Sequence, residues 1–251
     1  MSGEFNVVIP ARYASSRLPG KPLADIAGKP MIRHVWERAI ESGARRVIIA
    51  TDDERVREAA RGFGAEACMT ASDHASGTDR IAEVARIEEW LDEQIIVNLQ
   101  GDEPLTPPSI LAQVAEDLAA RPHSQMATLC TPVRSREEFL DPHVVKVVRD
   151  HDGYALYFSR APIPFERDRD LGEDLEAGQV LRHLGIYAYR CGFLQSYTAL
   201  PHCALETTER LEQLRALYNG VRIHVAEALE IPGHGVDTPG DLSRVAATVR
   251  E

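Results

Sequence analysis

The 251-residue chain carries 28 Lys and Arg against 39 Asp and Glu, a formal net charge of −11. That balance argues against a broad nucleic-acid-binding face and confines any polyanion site to a local cluster. Cys68, Cys130, Cys191 and Cys203 lie far apart with no Cys-x-x-Cys pair, so they read as reduced, packed residues of a cytoplasmic protein. With neither a signal-peptide pattern nor a run of ~18 apolar residues, no membrane span is expected.

In chain order, Val7-Val8-Ile9 is an apolar strand that breaks at Pro10 into Ala11-Arg12-Tyr13-Ala14-Ser15-Ser16-Arg17-Leu18-Pro19-Gly20-Lys21-Pro22. Glycine and proline keep this segment out of helix, leaving backbone N–H groups to face phosphate oxygens while Arg12, Arg17 and Lys21 supply charge. Lysine is scarce in this chain, and Lys21 suits a compact point charge. A nucleoside triphosphate is the natural ligand for such a loop; a solvated basic loop is the alternative.

Pro30 opens a helix whose apolar residues keep helical spacing to a stop at Gly43. The strand Val47–Ala50, a helix over about 53–61, a strand near Ala67–Met69, a helix near Asp79–Trp90 and the strand Ile95–Leu99 follow. This βαβαβ pattern, with near-continuous apolar strands, predicts an α/β fold: a mainly parallel twisted sheet with helices on both faces. Ligands of such sheets bind beyond the carboxyl ends of the strands, where the cationic loop falls. Further on, Val144–Val148 and Tyr154–Phe158 flank Asp152-Gly153 as a β-hairpin. The stretch from Pro162 to Gln179 reads as a mobile loop. A strand over His183–Arg190, a helix near Leu205–Tyr218, a strand over Val221–Ala226 and a last helix with Thr238 as N-cap and Pro239 at its first position complete the chain.

Several polar groups fall at the predicted rim. Asp102, just after the strand ending in Leu99, and Asp237, just before the last helix, are two carboxylates suited to magnesium, which takes one or two carboxylates plus substrate phosphates. Each also has an ordinary reading, Asp102 as a turn residue and Asp237 as a charge at a helix N-terminus. Ser76, Gly77 and Arg80 can surround a base or ribose, although Ser76 and Asp79 also have capping-box spacing. Arg160, His183, Tyr187, Glu212 and Gln213 are polar groups within apolar elements, suited to a site or to satisfied core positions. Gly62-Phe63-Gly64-Ala65-Glu66-Ala67 matches a loose dinucleotide pattern, but it follows a helix and enters a strand, the reverse of the required context. Asp168-Arg169-Asp170 lies in a charged run and reads as solvated loop.

Together these segments resemble the 3-deoxy-manno-octulosonate (Kdo) cytidylyltransferases over nearly the whole chain. The resemblance rests on Ile9 to Leu23, Asp73-His74-x-Ser76-Gly77-Thr78-x-Arg80, Asn98-x-Gln100-Gly101-Asp102-Glu103-Pro104, Tyr154 to Arg160, Leu181 to Tyr187, Leu211 to Arg215 and Gly235 to Pro239. It implies a single Rossmann-like nucleotidyltransferase domain over 1–251, with a small β-containing sub-lobe at about 132–190 for sugar binding and dimerisation. It implies transfer of CMP from CTP to Kdo, giving CMP-Kdo and pyrophosphate for lipopolysaccharide synthesis, by a magnesium-dependent homodimer. Arg12, Lys21, Asp102 and Asp237 would be catalytic, with Asp102 and Asp237 on Mg2+. Ala11, Arg12, Arg17, Lys21, Ser76, Arg80 and Gln100 would hold the nucleotide, and Arg160, His183, Tyr187, Glu212 and Gln213 the sugar acid. Phe165, His234 and Thr207-Thr208 depart from the usual pattern. A cytidylyltransferase for a related sugar acid, such as a sialic acid or 8-amino-Kdo, would share the nucleotide half; a non-catalytic nucleotide-binding regulator would not need both rim carboxylates.

Overall fold

The computed structural model describes residues 4–14, 18–167 and 180–250. In chain order, β1 (Phe5–Pro10), β2 (Asp25–Ile26), β3 (Lys29–Pro30), α1 (Met31–Glu41), β4 (Arg46–Thr51), α2 (Glu54–Gly62), β5 (Glu66–Met69), α3 (Gly77–Ile87) and β6 (Ile95–Asn98) build the first half. The second half contains α4 (Pro108–Ala119), β7 (Met126–Pro132), α5 (Arg136–Leu140), β8 (Lys146–Arg149), β9 (Ala155–Ser159), β10 (Leu181–Arg190), α6 (Cys191–Tyr197), α7 (Ala204–Glu209), α8 (Gln213–Tyr218), β11 (Ile223–Glu227) and α9 (Pro239–Arg250).

The main sheet runs β11-β7-β10-β6-β1-β4-β5, with β8 and β9 attached beside β10. Side chains on β1 alternate between two cores, as strand geometry requires. Val7 and Ile9 join residues of α1, α2 and α4 on one face, while Val8 joins α3, α6 and α8 on the other. Both faces are therefore covered, which explains why the strands read as near-continuous apolar runs.

Strand β1 pairs parallel with β4 and β6, β4 with β5, and β7 with β11. The sheet is mainly parallel, as expected, but β10 is inserted antiparallel to both β6 and β7. The expected hairpin is β8 and β9, with Gly153 at φ 84° in its turn. Thr238 caps α9: its Oγ1 accepts from the Asp241 backbone N–H at 3.2 Å, and Asp241 Oδ2 accepts from the Thr238 N–H at 2.8 Å. The four cysteines carry no disulfide, and three are buried, Cys68 being half-buried. Asp168-Arg169-Asp170 and most of the predicted 162–179 loop lie outside the described residues.

One element departs from its sequence pattern. The helix expected near Leu205–Tyr218 is two helices, α7 and α8, separated at Arg210, whose backbone is left-handed (φ 55°, ψ 47°). The cause is local. Glu209, at the end of α7, accepts from the Ser159 hydroxyl at 2.6 Å and the Arg160 backbone N–H at 2.9 Å, while its carbonyl accepts from Arg160 Nε at 2.7 Å. Anchoring α7 to the end of β9 this way turns the chain before Leu211-Glu212-Gln213.

Across the break, Arg215 of α8 binds Glu206 of α7, with Nε 2.9 Å from Oε2, and both side chains are almost buried (6 % and 10 % exposed). Removing one partner leaves the other charge uncompensated. Arg215→Leu is expected to cost roughly 3–5 kcal/mol in chemical denaturation, most of it recovered by Glu206→Leu/Arg215→Leu. Equal losses for single and double variants would show that the pair does not couple the two helices.

Candidate active site

The ends of β1 and β6 and the start of α3 face one cleft of about 340 Å³, lined among others by Arg12, Lys21, Ser76, Gln100, Asp102 and Asp237. Its floor depends on a close approach: a Cβ on Gly101 would stand 2.7 Å from the Pro10 carbonyl oxygen, so only glycine lets the turn after β6 lie against the loop after β1. Gly20, at φ 70°, starts the tight turn Lys21–Leu23, which carries Lys21 into the cleft.

Lys21 Nζ lies 2.6 Å from Asp102 Oδ2 and 2.9 Å from Asp237 Oδ1. Burial pulls the ammonium pKa down, but the two carboxylates more than offset this and leave it above its ordinary value. The segments carrying the carboxylates are joined by the Val236 N–H, which donates to the Asp102 carbonyl at 2.8 Å. Among the described residues no group of three or more His, Cys, Asp or Glu is placed to hold a metal. Asp102 and Asp237 are two carboxylates, a number that fits magnesium when phosphate oxygens complete its shell.

The other residues expected at the nucleotide divide by environment. Ala11 lines the cleft, but its N–H donates to Ala50 O at 2.8 Å, and the Lys21 and Leu23 N–H groups also bond within the chain. These N–H groups are unavailable to phosphate, contrary to the simplest reading of the loop. Ser76 caps α3 in a reciprocal capping box with Asp79, so the cap pattern and the cleft position coexist. Arg80 is 3 % exposed and tied to Thr70 Oγ1 and, at 3.0 Å, Asp52 Oδ2, yet still lines the cleft. Arg17 lies outside the described residues.

A second cleft, of about 390 Å³, adjoins the first through Gly77, Gln100 and Glu212. His183, Tyr187, Glu212 and Gln213 line it; Arg160 does not. The Arg160 guanidinium is occupied by the carbonyls of Glu209 and Pro142, at 2.7 and 2.9 Å. Sequence reasoning left out Arg182 and Arg210, which do line this cleft. Arg182 sits inside the quoted Leu181–Tyr187 motif and Arg210 directly before Leu211, but neither position shows its orientation before the fold is known.

Three buried atoms at this cleft, Asn98 Oδ1, the Tyr187 hydroxyl and Gln213 Nε2, have no hydrogen-bond partner among the described residues. Tyr187 reaches toward Thr128 without closing a hydrogen bond. Buried polar groups are seldom left so unless a ligand or water meets them. Burial, reinforced by the charge of Arg182, pushes the His183 pKa down to about 3, so its ring is neutral. Glu212 is open at the cleft mouth as a residue, yet the protein crowded around its carboxyl raises its pKa against a 3.0 Å hydrogen bond from Thr78.

The family model described as Cytidylyltransferase matches residues 6–223. A 3-deoxy-manno-octulosonate cytidylyltransferase from Thioalkalivibrio sulfidiphilus is 58 % identical over 249 residues, covering 98 % of this chain and 99 % of the relative. The chain belongs to this family. An enzyme of the same name from Haemophilus influenzae (strain 86-028NP) is 56 % identical over 248 residues, covering 97 % of each chain. A solved CMP:2-keto-3-deoxy-manno-octonic acid synthetase complexed with CTP is similar at 46 % identity and a TM-score of 0.90, with 99 % of each chain covered. A putative glucose-1-phosphate thymidylyltransferase from Bacillus anthracis, 17 % identical with a TM-score of 0.65 and coverage of 98 % and 96 %, shares the fold. Cytidylyltransferases of this kind are generally metal-dependent. Among the described residues no helix is long and apolar enough to cross a membrane.

Glu103, beside Asp102, offers a test of the site's electrostatics. Burial, and then the charge of Asp102, raises its pKa from 4.5 to about 8. The folded protein therefore holds this proton more tightly than the unfolded chain does. The resulting stability is full below 4.5 and lost as the pH rises through about 8. Thermal melts of metal-free protein should show a flatter decline over this window for Glu103→Gln than for the wild type; an unchanged slope would remove Glu103 as its source.

Proposed function

We propose that the chain transfers CMP from CTP to the anomeric hydroxyl of Kdo, releasing pyrophosphate and supplying CMP-Kdo for lipopolysaccharide synthesis. The observation that carries this reading is the pair of adjoining clefts: a lysine-bridged carboxylate pair in one, unpartnered buried polar groups in the other, and Gln100 and Glu212 shared between them. Similarity to relatives of that name and to a synthetase complexed with CTP supports the choice of substrates.

In this reading the triphosphate lies along Arg12 and Lys21, with Gln100 between nucleotide and acceptor. The anomeric oxygen attacks the α-phosphorus in line while the bond to pyrophosphate breaks, so the protein's task is positioning and charge stabilisation. Lys21 meets charge growing on the leaving pyrophosphate, and Arg12 adds a second cation at the exposed edge. His183, Tyr187 and Gln213 orient the sugar acid, while Arg182 and Arg210 provide positive charge for its carboxylate and leave Arg160 to brace the turn after α7. Asp102 and Asp237 would hold Mg2+, which supplies charge shielding of the triphosphate and a lowered pKa for the attacking hydroxyl. The active form is a homodimer in the cytoplasm, with the 132–190 lobe contributing to sugar binding and to dimerisation.

Asp102→Asn and Asp237→Asn should each lower turnover at least ~100-fold, the scale seen when one preorganised electrostatic group is removed. Lys21→Met should lower turnover with little change in cytidine recognition. Pyrophosphate release at limiting magnesium is the readout. Retention of more than about a third of wild-type activity by either Asp variant would rule out the two-carboxylate metal site.

A further inference from the structure

The inner wall of the sugar-acid cleft is made where β10 leaves regular pairing with β7. Leu184 faces Leu129 and Tyr187 faces Thr128, so Gly185 and Ile186 bulge out of the register. The bulge brings two carbonyls to one side chain. Thr128 Oγ1 lies 2.7 Å from Ile186 O and 3.0 Å from Leu184 O, and its residue is fully buried. The same hydroxyl oxygen is 3.1 Å from His183 Nε2.

A hydroxyl has one proton and two lone pairs, and a backbone carbonyl can only accept. The Thr128 proton is therefore committed to the carbonyls, the nearer being Ile186 O. Toward His183 the hydroxyl presents a lone pair. A bare Nε2 there would set two acceptors against each other in a buried space, whereas a protonated Nε2 completes a hydrogen bond. A neutral imidazole carries one ring proton, so Nδ1 is left bare.

We propose that Thr128 acts as a positioning residue that fixes His183 in its Nε2–H form, leaving Nδ1 as an acceptor for a hydroxyl of the sugar acid. The ring packs against Phe158 in a T-shaped contact with centroids 4.9 Å apart, and against Tyr187, tilted at 5.3 Å. Nδ1 has no hydrogen-bond partner among the described residues. An acceptor of this kind selects a donor: it pairs with a hydroxyl and repels a carboxylate or keto oxygen. It therefore sets which way round the sugar acid enters, placing a hydroxyl at His183 and the carboxylate away from it. The proton form of His183 is a property of the free protein; its use by a sugar hydroxyl rests on the function proposed above.

The test uses the full chain, labelled with 15N, as wild type, Thr128→Val and Thr128→Ser. Long-range 1H–15N correlation reads the tautomer without any substrate, and His183→Gln assigns the signals. Wild type and Thr128→Ser are expected to show His183 protonated at Nε2 only, and Thr128→Val a mixture or the Nδ1–H form. In steady-state kinetics Thr128→Val should raise KM for Kdo roughly tenfold, the scale of one lost hydrogen bond, with KM for CTP within about twofold and rescue by Thr128→Ser.

Wild-type His183 protonated at Nδ1, or Thr128→Val keeping both the pure Nε2–H form and the wild-type KM for Kdo, would overturn the proposal. A tautomer change without a change in KM would remove the acceptor role of Nδ1. If Thr128→Val fails to fold, the wild-type spectrum and Thr128→Ser decide the assignment. An Nε2–H spectrum from a wild-type protein that does not turn over Kdo would refute the proposed function and leave the Thr128–His183 assignment standing.

Discussion

Two ionised carboxylates are held together at the rim of this sheet by a cation between them, and that cation is Lys21. Its ammonium lies within 2.9 Å of both Asp102 and Asp237, residues 81 and 216 positions away in the chain. The contact ties together the loop after β1, the turn after β6 and the entry to α9. One lysine against two carboxylates leaves the cluster with a net negative charge, which adds to burial in raising the pKa of neighbouring Glu103. A site that is to accept a triphosphate must gain positive charge beyond Lys21. Arg12 at the exposed edge and a divalent metal on the two carboxylates supply it within the proposed function.

The second constraint is the antiparallel insertion of β10 between β6 and β7. A purely parallel sheet would end the nucleotide half at β6. With β10 beside it, Asn98 at the end of β6 faces Tyr187 directly, so the wall of the cleft proposed for the sugar acid begins where the cleft proposed for the nucleotide ends. The bulge in β10 and the left-handed turn at Arg210 then aim side chains into a cleft that regular elements would have left walled by backbone. Irregular backbone at such places is a common means of directing functional groups.

The first half of the fold was readable from the chain because its strands are covered on both faces and carry uninterrupted apolar residues, and because Pro30 and Gly43 mark helix ends by known chemistry; Thr238 did the same for the last helix. The rim position of Lys21, Asp102 and Asp237 followed from the same logic. The direction of β10 did not, since an apolar strand looks the same whichever way its neighbours run. The break at Arg210 was hidden because helical spacing persists across it; its cause is Glu209 bound to Ser159 and Arg160, a contact between distant segments. That contact also explains why Arg160, a reasonable candidate by sequence, has its guanidinium held by carbonyls outside the cleft, while Arg182 and Arg210 line it. Thr128 had no sequence signal, because an ordinary strand threonine acquires its role only from the bulge opposite it.

The central claim is that the paired clefts direct a sugar-acid hydroxyl onto the α-phosphorus of CTP. The most direct measurement is 31P NMR of the protein with CTP, Kdo and magnesium, following every phosphorus-containing product with time. The account predicts pyrophosphate and a CMP phosphodiester in equal amounts, appearing only when both substrates are present. Formation of CDP and inorganic phosphate, or consumption of CTP that does not depend on Kdo, would contradict it.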